Sequence, residues 1–400
     1  MLKKVDENGN IIFGDLSLQK NFNFKFQGKN NIIFLAGNSV NVNVNFHGNN
    51  ALFFHAGGGW LNGNIDLCTN GLFYIGKNSS SNGSSFRIYE GKSIILGDDC
   101  MFSWGIWVST CDHHLIYDNL THKRVNHSKS IFVGDHIWCA QDACILKGAF
   151  VPSGSVLGAR SVNLGTMFSN SIYAGNKSKL VKSGIFWSRE DHVWESWDYA
   201  KTMEFETMQK DDFVFKFDEK VFLNPALLEA RISSLKTAFE RLEFVYDYIY
   251  NNTHKNRFTY EKGANLDKTK LYKMQGKRPF KELKFECLDE KPLPKGAVQR
   301  VQNHLAYKFG KALIENSKSL KGFLKLPFIL NEISKEHKNL KPNLIKLENY
   351  GDYEEALRVQ NLFSYKLGLA FFKAFKTWYK GGFVKFYFEV KKLKKMAFKT

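Results

Sequence analysis

Residues 133 to 162 turn over every six positions. In VGDHIW, CAQDAC, ILKGAF, VPSGSV and LGARSV the first position is Val133, Cys139, Ile145, Val151 and Leu157. The fifth is Ile137, Ala143, Ala149, Ser155 and Ser161, small in four blocks of five. An amphipathic helix would repeat near 3.6 residues and a strand near 2. A six-residue beat with one aliphatic corner and one small residue predicts a hexapeptide β-helix, three hexads to a coil. The aliphatic corners stack inward, and the small residue lets the backbone turn tightly.

The same phase runs upstream through Leu96, Phe102 and Val108, and more loosely through Phe34, Val40, Phe46 and Leu52. The pattern predicts one solenoid over residues ~20 to ~175, with a degenerate N-terminal end, as terminal repeats usually are. The beat stops after Val108 and resumes at Val133. The interruption contains WVSTCDHHLIYD and four histidines, His113, His114, His122 and His127. A long loop thrown from a rigid scaffold is where function concentrates.

Beyond IFWSRE the beat disappears. NPALLEARISSLKTAFERLEFVYDYIY predicts an amphipathic helix with Asn224 as N-cap and Pro225 at the first helical position. RVQNHLAYKFGKALI from Arg300 returns as RVQNLFSYKLGLAFF from Arg358, and GFLK at Gly322 as GFVK at Gly382. The chain therefore divides into a β-helix over 1–190 and a helical domain over 191–400, which carries an internal repeat at about 296–335 and 354–393.

The formal charge of +18 is uneven. Residues 1–190 hold 17 Lys/Arg against 12 Asp/Glu, whereas residues 361–400 hold ten lysines and one glutamate. A basic tail implies an anionic partner. In that tail Leu362, Leu369, Phe372, Tyr379 and Phe383 fall on one predicted helical side, with Lys366, Lys373, Lys376 and Lys380 interleaved. The pattern suits either an acidic membrane surface or a core-facing helix with a solvated basic side. No nucleic-acid recognition motif accompanies it. The six cysteines lack CxxC spacing, there is no signal-peptide pattern, and no apolar run reaches the length of a membrane span. These features predict a cytoplasmic protein, with a peripheral membrane contact as a further expectation.

Three stretches together carry a resemblance: STCDHHLIYD, VGDHIWCAQDACILKGAFVPSGSVLGARSV and NSIYAGNKSKLVKSGIFW. As a set they resemble the left-handed β-helix acyltransferases, specifically the acetyl-CoA-dependent O-acetyltransferases of bacterial surface polysaccharides and sialic acids. The family's Asp-x-His-x-Ile-x-Asp loop falls on Asp112, His114, Ile116 and Asp118. Its Gly-Asp-x-x-Trp hexad falls on Gly134, Asp135 and Trp138, and its closing Ala-Gly-Asn-x-x-Lys on Ala174, Gly175, Asn176 and Lys179. Cys111 and Lys177 depart from the pattern, at residues that are often serine and usually proline. The C-terminal repeat resembles segments appended to other glycan-assembly enzymes, sialyltransferases included, and carries no chemistry.

The resemblance implies an α+β chain, a trimeric left-handed parallel β-helix followed by a mainly helical domain. Acetyl-CoA is the donor and an anionic glycan the acceptor, with clefts between subunits. His114 is then the general base: a protonated hydroxyl is a poor nucleophile, and imidazole accepts its proton near neutrality. Asp112 is a candidate to orient it and Trp138 to wall the cleft. Gly158, Ala159, Gly175 and Asn176 lie on the expected pantetheine track, and Lys179 and Lys182 near the CoA phosphates. His113, His122 and His127 read as solvated loop residues. A zinc site is the competing reading of the histidine cluster, but metal-ligand spacing is absent. N-acetylation of an amino-sugar nucleotide and a non-catalytic glycan- or membrane-binding scaffold are the rival functions.

Overall fold

The computed structural model describes residues 2–191, 196–208, 210, 212–287, 296–338, 347, 350 and 352–397, in two compact units that divide at Leu288. The first unit is a parallel β-solenoid, and the second is helical.

One side of the solenoid stacks Ile11–Phe13, Ile32–Leu35, Leu52–His55, Leu72–Ile75, Ser93–Leu96, Ile131–Val133 and Phe150–Val151 in parallel register. Leu2–Val5 and Glu286–Cys287 extend this sheet at its N-terminal end, and a second sheet carries the other strands. Every first and fifth hexad position from Val133 to Ser161 is buried, as the beat predicts. From Phe132 to Phe150 a coil takes 18 residues. Further upstream it takes 20 or 21, as from Leu52 to Leu72. The looser upstream hexad phase is therefore not the structural one. Phe34 and Leu52 point outward on the first sheet, while their neighbours Ile33, Leu35 and Phe53 fill the interior. The longer coils turn on asparagine: Asn30, Asn50 and Asn70 hold left-handed φ of 57°, 61° and 60°. Asparagine tolerates that region better than other non-glycine residues.

The outward side of the first sheet is buried too. The runs IIFL, LFFH, LFYI and SIIL are apolar at consecutive positions rather than alternating, the mark of a sheet covered on both faces. The cover comes from residues after 190. A short helix, α1 (Tyr199–Glu204), is followed by α2 (Pro225–Ser234) and α3 (Ala238–Val245), the latter continuing as a π-turn to Tyr250. Phe222, Leu228, Leu242, Ile249, Phe258 and Phe280 pack on Phe13, Phe34, Phe54, Tyr74, Ile95 and Phe132. Each such side chain contributes about 1.5–3 kcal/mol. The end of the beat near 190 thus closes the coils but not the compact unit. Asn224 caps α2 through its side chain, as expected. The expected single helix is instead two, because Thr237 and Glu240 form a capping box that starts α3.

In the second unit each repeat is a set of three helices: α4 (Ala297–Asn303), α5 (Leu305–Asn316) and α6 (Leu320–Lys338), then α7 (Tyr353–Asn361), α8 (Phe363–Lys376) and α9 (Gly382–Ala397). Equivalent glycines make the crossing of α5 and α8. A Cβ on Gly310 would lie 1.6 Å from the Ser364 carbonyl oxygen, and one on Gly368 1.8 Å from that of Ala306. Asp352 accepts from the backbone N–H groups of Gly296, Ala297 and Val298 at the start of α4, which lowers its carboxyl to about 2. The single apolar side expected across 362–383 does not form. A 3₁₀ turn and Gly381 in the left-handed region separate α8 from α9, and Phe372 packs on Phe309.

Candidate active site

The interruption of the beat is a loop leaving the solenoid after Ile106–Ser109. Across it the coil step is 37 residues, Trp107 pairing with Cys144, against 22 just before the loop and 18 just after it. Its ends meet where the Lys129 N–H donates to the Thr110 carbonyl. Arg124 donates to both carboxylate oxygens of Glu90 at 2.7 and 3.0 Å, and the Ser128 hydroxyl donates to the same carboxylate. The Arg124 and Ser128 hydrogen bonds hold Glu90 at about 2, well below the usual carboxylate range. Asp118 accepts from the backbone of Leu120 and Thr121 and shapes the tip.

His114 stands on this stapled loop with its imidazole exposed and, among the described residues, without a hydrogen-bond partner. His113 is different. Its backbone is left-handed at φ 65°, and its ring packs edge-on against Tyr89 at 5.1 Å and beside Trp107 at 6.2 Å. The Asp112 carboxylate does not reach the His114 ring. Lys147 and Asn126 engage it instead, and Lys147 lowers its pKa most. Asn126 is the link. Its amide donates 3.1 Å to Asp112 and 2.6 Å to the His114 carbonyl, while its oxygen accepts from Ile116 N–H. Asp112 therefore acts on the backbone under His114. His122 and His127 are exposed. So are Leu115, Ile116, Tyr117, Leu120 and Val125, an unusual amount of apolar surface for one loop.

Trp138 points outward from its strand, 38% exposed, with Trp187 6.0 Å away. The segment around Trp187 is a strap across the second sheet. His136 is buried and sandwiched between Trp187 at 3.9 Å and Phe213 at 3.8 Å. Its ring nitrogens face Asp99 at 2.6 Å and the Trp187 carbonyl at 2.9 Å. Arg189 closes the strap on Asp99, Ser80 and the Cys100 carbonyl. Burial raises the Asp99 carboxyl, but His136 and Arg189 outweigh it and leave the pKa lowered. Sequence reasoning missed His136, Asp99, Trp187 and Arg189. The His in GDHIW and the Trp-x-Arg of IFWSRE were the available signals.

Asp135 in the same hexad is structural. Its carboxylate takes Arg257 on both oxygens and the Asp98 N–H at 2.7 Å. Gly97 and Gly134 are needed beneath this stack, since a Cβ on Gly97 would lie 2.5 Å from Asp135 Oδ1.

The remaining candidates gather at the last coil. Gly158 N–H donates to the Tyr173 carbonyl at 2.7 Å, and Val162 N–H to Gly175 at 3.1 Å. Ser171–Ala174 and Lys179–Ser183 form an antiparallel hairpin that ends the stack. Ala159, Gly175, Asn176, Lys179 and Lys182 are exposed there. Among the described residues no hydrogen bond or ring contact joins this group, Trp138 and His114 to one another within the chain. No cluster of three or more His, Cys, Asp or Glu suited to a metal occurs among the described residues.

Comparison with known proteins narrows the class. A polysialic acid O-acetyltransferase of Escherichia coli O1:K1 / APEC is 30% identical over 132 residues, 33% of this chain and 43% of that protein. One of Neisseria meningitidis is 36% identical over 72 residues, 18% of this chain and 33% of that protein. The chain thus spans less than half the length of these curated relatives. The crystal structure of the polySia specific acetyltransferase NeuO is 28% identical, with a TM-score of 0.44 over 50% of this chain and 96% of that one. The hexapeptide-repeat O-acetyltransferases, to which the loop and hexad motifs point, are the class into which these matches fall. A family described as a domain of unknown function, DUF8374, matches residues 228–400.

Proposed function

We propose that this chain transfers an acetyl group from acetyl-CoA to a hydroxyl of a bacterial surface glycan, with sialylated chains as the acceptor class. The observation that carries the reading is His114: an exposed imidazole on a loop stapled at both flanks, in the Asp-x-His frame of the O-acetyltransferases.

His114 takes the proton of the acceptor hydroxyl as its oxygen attacks the thioester carbonyl. The tetrahedral oxyanion is met by a backbone N–H, and collapse expels the CoA thiolate, which takes the acceptor's proton from the imidazolium to leave as CoA thiol. Asp112 is a positioning residue that acts through Asn126. Trp138 walls the acceptor or pantetheine. Gly158, Ala159, Gly175 and Asn176 line the pantetheine track, and Lys179 and Lys182 meet the phosphates.

A trimer completes the cleft. One side of the solenoid is covered by the chain's own helices, whereas Trp60, Trp104, Trp138 and the apolar loop are exposed on the others. That distribution supports a neighbouring copy against the uncovered sides. Among the described residues no helix is long and apolar enough to cross a membrane. Peripheral contact through the basic C-terminal region, at the cytoplasmic face, belongs to the same proposal.

The test is acetyl-CoA consumption by purified protein against a panel of sialylated and neutral oligosaccharides. A base-labile product on sialylated acceptors is expected. A base-stable product would make it an N-acetyltransferase, and no turnover on any acceptor would leave a binding scaffold.

A further inference from the structure

The helical unit carries an apolar hollow with an unusual surround. Helices α5, α6, α8 and α9 line a half-open hollow of about 600 Å³ with Phe309, Leu326, Phe371, Phe372 and Phe386, and its surface is mostly apolar. The volume falls within the ~300–1,000 Å³ usual for small-molecule sites. Phe323, Phe375 and Phe383 line it as well and are exposed to solvent.

Besides the apolar residues they turn to the hollow, α6 and α9 carry exposed apolar stripes. On α6 the residues Leu320, Phe323, Leu324 and Phe328 follow helical spacing, and all are exposed, Phe328 at 75%. On α9 the same holds for Phe383, Val384, Tyr387 and Phe388, with Trp378 and Tyr379 just before it. An amphipathic helix ordinarily turns such a stripe to the core. Charge lies directly beside it. A second hollow of about 730 Å³, sharing Phe386 as a wall, is lined by Lys366, Lys373 and Lys385 with one acid, Glu389. Lys376, Lys380, Lys391 and Lys392 are exposed on the same helices and the turn between them.

Resting on the peripheral contact proposed above and going beyond it, we infer from this geometry that the unit docks on an anionic lipid bilayer and receives a lipid hydrocarbon chain in the phenylalanine-lined hollow. The lysines meet acidic headgroups, the exposed stripes enter the acyl boundary, and the chain passes Phe323 and Phe375 into the hollow. Charge complementarity selects an anionic surface, and the apolar lining selects a lipid over an acidic polysaccharide, which has no hydrocarbon to bury.

The experiment uses the full chain and co-sedimentation with vesicles of phosphatidylglycerol in phosphatidylcholine. Binding is expected to phosphatidylglycerol vesicles and not to pure phosphatidylcholine, and to persist in part at high salt. Phe323→Asp with Phe375→Asp, all lysines retained, should weaken it at least tenfold. Equal binding by this variant, or failure of the wild type to bind, overturns the inference. The wild type also provides a readout that does not depend on folding of the variant. A phospholipid with a photoreactive group at the chain terminus should crosslink within 309–334 and 371–386, and crosslinks confined elsewhere contradict occupation of the hollow.

Discussion

Arg257 and Asp135 meet at 2.7 Å inside the solenoid unit, with the Arg257 side chain 1% exposed. Asp135 comes from the hexad stack and Arg257 from the segment that covers it. Arg257 also lies 3.1 Å from Asp98 and donates to the Ile249 and Asn252 carbonyls. Burial opposes its charge, but the carboxylates of Asp135 and Asp98 outweigh that and hold the guanidinium firmly protonated. The pair joins the two layers.

Removal of Arg257 strands the Asp135 carboxylate in the interior, and removal of Asp135 leaves Arg257 with Asp98 as its carboxylate partner. Asp135→Ala or Arg257→Ala should each cost ~3–5 kcal/mol in denaturant unfolding, with the double variant losing much less than the sum. Additive losses would show that the two residues do not act as a unit.

The loop should loosen in acid. Glu90 has a folded pKa of about 2 against an ordinary 4.5. A depressed carboxyl contributes stability above its unfolded pKa and loses it as pH falls through the folded one. The contribution is therefore intact above ~4.5 and gone near 2. Glu90 is partly exposed, so the amount is modest, about 1 kcal/mol or less. Amide exchange over 110–129 should rise through that window, and Glu90→Gln should raise it already at neutral pH. Unchanged exchange in Glu90→Gln would remove the staple from the description of the loop.

In the helical unit, Gly310→Ala should force α5 and α8 apart, at ~1–3 kcal/mol, and Gly368→Ala should do the same. Exchange protection of 305–316 and 363–376 in the full chain should fall together in either variant. Protection lost in one helix alone would contradict the paired crossing.

Light scattering should report a trimer. Tyr117→Asp with Leu120→Asp places charge on the exposed loop and should shift the protein toward monomer, with turnover lost in proportion. A monomer that remains fully active would refute the shared cleft.

Much of this was legible in the chain. Val133 to Ser161 announced the solenoid because each coil repeats the same corner, and the loop showed itself as a gap in that beat. The repeat from Arg300 and Arg358 foretold two equivalent helix sets. Other features rest on contacts between residues far apart in sequence. Nothing near GDHIW says that Arg257, 122 residues on, takes Asp135, or that Trp187 and Phe213 clamp His136. The second layer did leave a trace in the unbroken apolar runs LFFH and LFYI. Hexad phasing obscured it, because the early coils take 20 or 21 residues rather than 18. Sequence proximity puts Asp112 beside His114, whereas in space Lys147 and Asn126 take its carboxylate.

The most direct measurement is turnover of acetyl-CoA with a sialylated oligosaccharide by His114→Ala beside His113→Ala, each checked for the oligomeric state of the wild type. His114→Ala should lose ~10²-fold or more in kcat, while His113→Ala, whose ring only packs on Tyr89 and Trp107, should lose far less. Wild-type turnover in His114→Ala, or a larger loss in His113→Ala, would contradict the assignment of His114 as the base.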